Sequence, residues 1–100
     1  MKYEPSDYLT EVPKPPEWMD SLKTQLFNYH CTMLVEKGVM LKQGIEQLYA
    51  LCNIESKMIE THLSGSPIQM DVYQAHKEFC ETFDINNNFK NRVDALNLKE

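Results

Sequence analysis

Residues 20–67, DSLKTQLFNYHCTMLVEKGVMLKQGIEQLYALCNIESKMIETHLSGSP, decide the fold. Leu22, Leu26, Phe27, Tyr29, Met33 and Leu34 recur at helical intervals. Asp20, just ahead of them, is placed to accept the orphan N–H groups of a first turn. Met19 can staple onto the apolar face one turn in, and Gly38 can close the helix in the left-handed conformation. The spacing predicts a helix from Ser21 to Lys37. Val39-Met40-Leu41 leaves room only for a tight reversal before a second helical pattern begins near Lys42, so two antiparallel helices are expected. In the second helix Ile45, Leu48, Tyr49, Cys52, Ile59 and Leu63 form one stripe. Leu51, Ile54, Met58 and His62 widen it to nearly half the circumference, which calls for more than one packing partner. After about 20 residues, or roughly 30 Å, Ser64-Gly65-Ser66-Pro67 ends it with a glycine cap and a proline that cannot continue the helix.

Outward from this pair, residues 1–16 hold prolines 5, 13, 15 and 16 among scattered charges and read as an extended leader. Pro13 and Pro16 have the PxxP spacing of a polyproline ligand, but a stiff spacer that sets the approach to the first helix is the simpler reading. On the other side, Val72, Ala75, Phe79 and Phe83, with Cys80 alongside, predict a third helix capped by Asp71. Residues 84–88 read as a turn, in which an asparagine can cap a last short helix holding Phe89, Val93 and Leu96. No strand pattern competes. The expected fold is all-α: a helical hairpin of two long antiparallel helices, one or two short C-terminal helices and a proline-rich leader. Its parts are the leader at 1–16, the hairpin at 17–65, and short helices at 66–100 packed on the hairpin within one domain.

Composition narrows the function. The chain has 100 residues, 42% of them hydrophobic, and its 15 acidic against 10 basic side chains give a net charge of −5. A chain this short buries only about 60 to 65% of the surface its unfolded form exposes, so it gains much from assembly. The acidic balance argues against a surface that grips nucleic acid everywhere, because such binding rests on Lys and Arg neutralising phosphates. Only residues 85–99 depart from it, with Lys90, Arg92 and Lys99 against Asp94. No apolar run approaches the roughly 18 residues of a membrane span, and the first residues lack the pattern of a secretory signal. A cytoplasmic protein without membrane contact is expected. Cysteines at 31, 52 and 80, odd in number and without a close pair, suit thiols in a reducing compartment.

Little in the sequence points to catalysis or a cofactor. Glycines 38, 44 and 65 make no phosphate-cradling loop. His76 and Cys80, one turn apart, are half of a metal site, but His30-Cys31 and His62 lack ligand spacing, so no metal is expected. A Cys–His nucleophile lacks an oxyanion signal and a readable orienting acid. The aromatic side chains fall on helical stripes as core. Trp18 is the exception: standing just outside the first helix, it is either a lid on the core or an anchor in a neighbouring subunit.

The register of Pro15-Pro16-Glu17-Trp18-Met19, Phe27, Leu34, Gly38, Leu48 and Leu51-Cys52 resembles the bacteriophage terminase small subunit, in the branch common among prophages. In that family a Pro-x-Trp-Leu-like approach precedes a first helix with a central Trp, a place taken here by Phe27. A Leu and a Gly close that helix, and the second carries a Tyr-Cys-like pair, matched by Leu51-Cys52. The tail, from Phe83 through the asparagines to Lys90 and Arg92, follows the family outline of a short helix, a turn and a basic pair. Gly44 stands where the family usually has Asp, Leu41 where it often has a Ser or Thr cap, and Asp84 and Asn87 replace the Gly and Pro of its terminal turn.

The resemblance covers residues 13–93. It implies a non-enzymatic subunit of the DNA-packaging motor that assembles as a ring, recognises viral double-stranded DNA and presents it to the terminase large subunit, which carries the ATPase and nuclease. Under that reading Lys77, Lys90, Arg92 and Lys99 are the candidate DNA contacts, with Lys2 and Lys14 of the leader as contributors. Trp18, Met40, Leu41, Leu51, Ile54 and Met58 are the candidate oligomer interface. The alternative is a small helical protein-interaction module or regulator that never meets nucleic acid.

Overall fold

The computed structural model describes residues 3–98 and is all-helical among them. The order is a 3-10 turn at Pro5–Asp7, α1 (Ser21–Glu36), a 3-10 turn at Lys42–Gly44, α2 (Ile45–Leu63), α3 (Met70–Phe83) and α4 (Phe89–Ala95). The chain divides into two compact units, Met1–Tyr49 and Ala50–Glu100, and the division falls inside α2.

In the first unit α1 starts where its cap predicts. Asp20 is extended, and its carboxylate accepts the Lys23 N–H at 2.9 Å. The helix stops at Glu36, with Lys37 as C-cap and Gly38 at φ 73°. Leu26, Phe27, His30, Cys31 and Leu34 form its buried face. That face is the predicted stripe rotated slightly, since Met33 is exposed and His30 is buried. Phe27 packs against Tyr49 of α2, ring centroids 5.6 Å apart.

The leader does more than space. Pro5–Asp7 turn once, with the Asp7 carboxylate accepting the Glu4 N–H at 2.7 Å. Tyr8 then pairs with Leu41 in an isolated antiparallel bridge, and the Leu9 N–H donates to the Met40 carbonyl at 2.7 Å. Pairing with the leader satisfies polar backbone in the connection that would otherwise depend on water. Met40, whose backbone it holds, is fully buried. Without a Ser or Thr cap, the second helix begins with the Lys42–Gly44 3-10 turn, and α-geometry sets in only at Ile45.

In the second unit α2 ends before Gly65, at φ 80°. The third helix opens before its expected cap: Gln69 is the N-cap and Asp71 lies in the first turn. The Gln69 carbonyl accepts from Val72 and Tyr73, while the Asp71 carboxylate accepts the Val72 N–H at 2.9 Å. A first-turn acid also suits the positive end of the helix dipole. Asp84, in the left-handed conformation, ends α3, and the Asn88 side chain caps α4 by accepting the Lys90 N–H at 3.2 Å.

Candidate functional site

Four buried polar side chains from three helices meet in the second unit. Glu55 lies on α2 between Leu51-Cys52 and Met58-Ile59, one turn from each, so the apolar stripe carries it inward. His76 and Cys80, four residues apart on α3, share one face. Arg92 sits on the inner side of α4 beside Phe89 and Val93. Each of the four is at most 3% exposed.

Glu55 is the hub. Its Oε2 receives His76 Nε2 at 2.6 Å and Arg92 Nη2 at 2.5 Å, and Arg92 Nε donates to both carboxylate oxygens at 3.2 Å. An ionised carboxylate only accepts, so the His76 nitrogen facing it carries the proton. Arg92 Nη1 donates to the Asn86 carbonyl at 2.6 Å, which ties the turn before α4 to the same cluster. Cys80 Sγ lies 3.6 Å from His76 Nε2. Burial pushes the Cys80 thiol up to about 11, the Glu55 charge adds to the rise, and Arg92 opposes it. Burial likewise raises the Cys31 thiol.

The donor atoms of Glu55, His76 and Cys80 lie within 4.8 Å of one another, close enough to surround a metal ion. The fit fails on charge. Both Glu55 oxygens already bind a guanidinium that cannot lose its proton, so a metal at this point would meet a fixed cation. Nor does the cluster make a nucleophile, because a thiol with so high a pKa stays protonated near neutrality and Cys80 has no exposed surface. The geometry is that of a buried, satisfied ion network joining α2, α3 and α4.

The predicted site residues scatter. Lys77 and Lys90 are exposed on α3 and α4. Arg92 is not available to phosphate: it is buried and held by Glu55, because its place on the inner face of α4 puts it in the core. Lys99, like Lys2, lies outside the described residues. Of the proposed interface, Trp18 is 57% exposed and meets Tyr49 edge-on at 5.8 Å. Leu41 and Ile54 are half-buried. Met40, Leu51 and Met58 are core residues of the single chain, each at most 1% exposed, so they offer no surface to a neighbour. The breadth of the α2 stripe reflects burial within the chain at these positions.

Sequence reasoning missed Glu55. The available signal was an acid within an apolar stripe, one turn from Cys52 and from Ile59. Compared with protein-family models, curated proteins and solved structures, the chain shows no match, so its geometry and sequence register alone carry the functional reading.

Proposed function

We propose that this chain is the small subunit of a phage DNA-packaging terminase, a non-catalytic oligomeric adaptor in the host cytoplasm that binds viral DNA and presents it to the large subunit. The observation that carries the reading is Trp18, the large apolar side chain of the Pro15-Pro16-Glu17-Trp18-Met19 motif, which stays 57% exposed. A tryptophan held open at the approach to the first helix is the kind of side chain that anchors a subunit contact. The closed Glu55–His76–Arg92 cluster is consistent with a structural role for the second unit.

DNA contact under this reading falls to Lys77 and Lys90, with Lys14 of the leader as a contributor, all three exposed and summed over the copies of a ring. The test is absolute mass by light scattering, followed by DNA binding across a salt series. Expected are a discrete oligomer and an affinity that falls steeply with salt, each phosphate contact contributing about 0.9 to the slope of log K on log salt. Lys77→Glu with Lys90→Glu should flatten that slope and leave the mass unchanged. An oligomer with no DNA affinity at low salt overturns the DNA part of the reading. It would leave the protein-interaction module, which the inward placement of Arg92 and the net charge of −5 favour.

A further inference from the structure

We propose that a groove between α2 and α3 receives Trp18 of a second copy of this chain, with Glu17 of that copy meeting Lys57. The proposal rests on the oligomeric-adaptor reading and names the surfaces that join its subunits.

The groove lies within the second unit and measures about 160 Å³. Pro67, Ile68 and Val72 give it apolar walls above the buried Met58, Thr61 and Gln69 add polar edges, and Lys57 is the charged side chain lining it. The same stretch of chain leaves Leu63, Met70 and Tyr73 exposed, Met70 at 81%. A groove of this kind on a small acidic protein suits an apolar knob that brings a carboxylate with it.

The first unit carries such a knob. Pro15 and Pro16 fix the backbone ahead of Trp18, and the Met19 N–H donates to the Pro16 carbonyl at 3.1 Å, closing a turn around Glu17 and Trp18. The Asp20 cap then fixes that turn to α1. Glu17 is exposed beside Trp18. A side chain held on so stiff a support loses little freedom on docking.

One chain therefore carries an exposed apolar knob with an acid beside it and an apolar hole with a base on its wall. Knob and hole are different surfaces of one chain, so each copy both gives and receives. Tryptophan buries about 150 to 250 Å², well short of the roughly 1,200 Å² of a stable interface. Leu63, Met70 and Tyr73 of the same unit are further exposed apolar side chains.

Two variants test the contact with the full chain. Trp18→Ala removes the knob at an exposed position, and Ile68→Asp blocks the hole in a loop; circular dichroism checks that both remain helical. Sedimentation should show each alone as a monomer, with association weakened roughly 30-fold or more. Mixed, they should give a one-to-one dimer and nothing larger, since one intact knob and one intact hole remain. Glu17→Lys should weaken assembly, and adding Lys57→Glu should restore it.

Trp18 is the only tryptophan, so its emission in the wild type should shift to the blue as concentration rises and stay fixed in Ile68→Asp. A mixture that stays monomeric overturns the knob-in-hole contact, as does a wild type that assembles equally well without Trp18. In that second case salt-dependent DNA binding by the surviving oligomer leaves the adaptor reading standing. A Trp18-dependent oligomer that ignores DNA keeps the contact and overturns the DNA role.

Discussion

Among the described residues up to Tyr49 the buried side chains are Met19, Leu26, Phe27, Cys31, Leu34, Met40 and Leu48, with His30 the polar exception. From Ala50 onward Leu51, Cys52, Met58, Ile59, Cys80, Phe89 and Val93 share the interior with Glu55, Ser56, His76 and Arg92. The first set is held by non-directional burial, which any side chain of similar volume approximates. The second contains an arrangement that works only when every partner is present, because an unpaired charge in the interior costs more than the pair contributes. The contrast is between an interior that degrades gradually and one that fails at a single residue.

The largest expected effect breaks the second unit. Glu55→Ala leaves Arg92 buried without its carboxylate and removes the acceptor of His76, at a cost of about 3 to 5 kcal/mol. Against a total of about 5 to 15 kcal/mol for a small domain, that should appear as a large fall in the urea midpoint followed by circular dichroism. Replacing the trio together, with Glu55→Met, His76→Leu and Arg92→Met, should be neutral or stabilising, since no charge is then stranded. A cost below about 1 kcal/mol for Glu55→Ala would show that the network does not hold this unit together.

The first unit sharpens the contrast with a smaller effect. Leu26→Ala, at a position with no exposed surface, should cost about 3 kcal/mol through lost transfer energy and the cavity left behind. Leu26→Met should cost less than about 1.5 kcal/mol. The equally mild exchange Arg92→Lys should be far less tolerated, because an ammonium cannot serve both Glu55 oxygens and the Asn86 carbonyl from one rigid fork. Comparable midpoints for the two conservative variants would remove the distinction between the units.

The same contrast sets what was legible in the sequence. Asp20, Gly38, Gly65 and Asn88 act locally, through backbone groups within a few residues, and each marks a helix end as its chemistry requires. Leu26, Phe27 and Leu34 follow from periodicity alone. The α3 start slipped because Gln69 and Asp71 both accept from the Val72 N–H and only backbone geometry decides which residue is the cap. Arg92 was misplaced for a deeper reason. Its partner Glu55 is 37 residues away, and no local pattern distinguishes an arginine that faces solvent from one that faces a buried acid. Met40 was hidden in the same way, by a leader strand-like pairing between segments about thirty residues apart in sequence.

The smallest predicted effect belongs to Asp20, where the first unit does depend on a charge, but one in solvent. Its carboxylate accepts the Lys23 backbone N–H at 2.9 Å and meets Lys23 Nζ at 3.2 Å, with the Asp20 side chain 53% exposed. The backbone hydrogen bond is the main reason its pKa lies below the ordinary value of 3.8. The exposed ion pair adds little once screened by water and salt. Asp20→Ala should therefore cost about 1 kcal/mol, the usual worth of an N-cap. Because folding lowers this pKa, the folded state binds the proton less tightly than the unfolded chain. The contribution is complete above the unfolded value near pH 4 and disappears as pH falls through the folded value. Urea midpoints of wild type and Asp20→Ala should thus differ at pH 7 and converge in acid. Asp20→Asn, a neutral cap, should show no such convergence toward the alanine variant. A wild-type advantage that persists unchanged into strong acid would place the stabilisation in packing at the helix start rather than in the carboxylate.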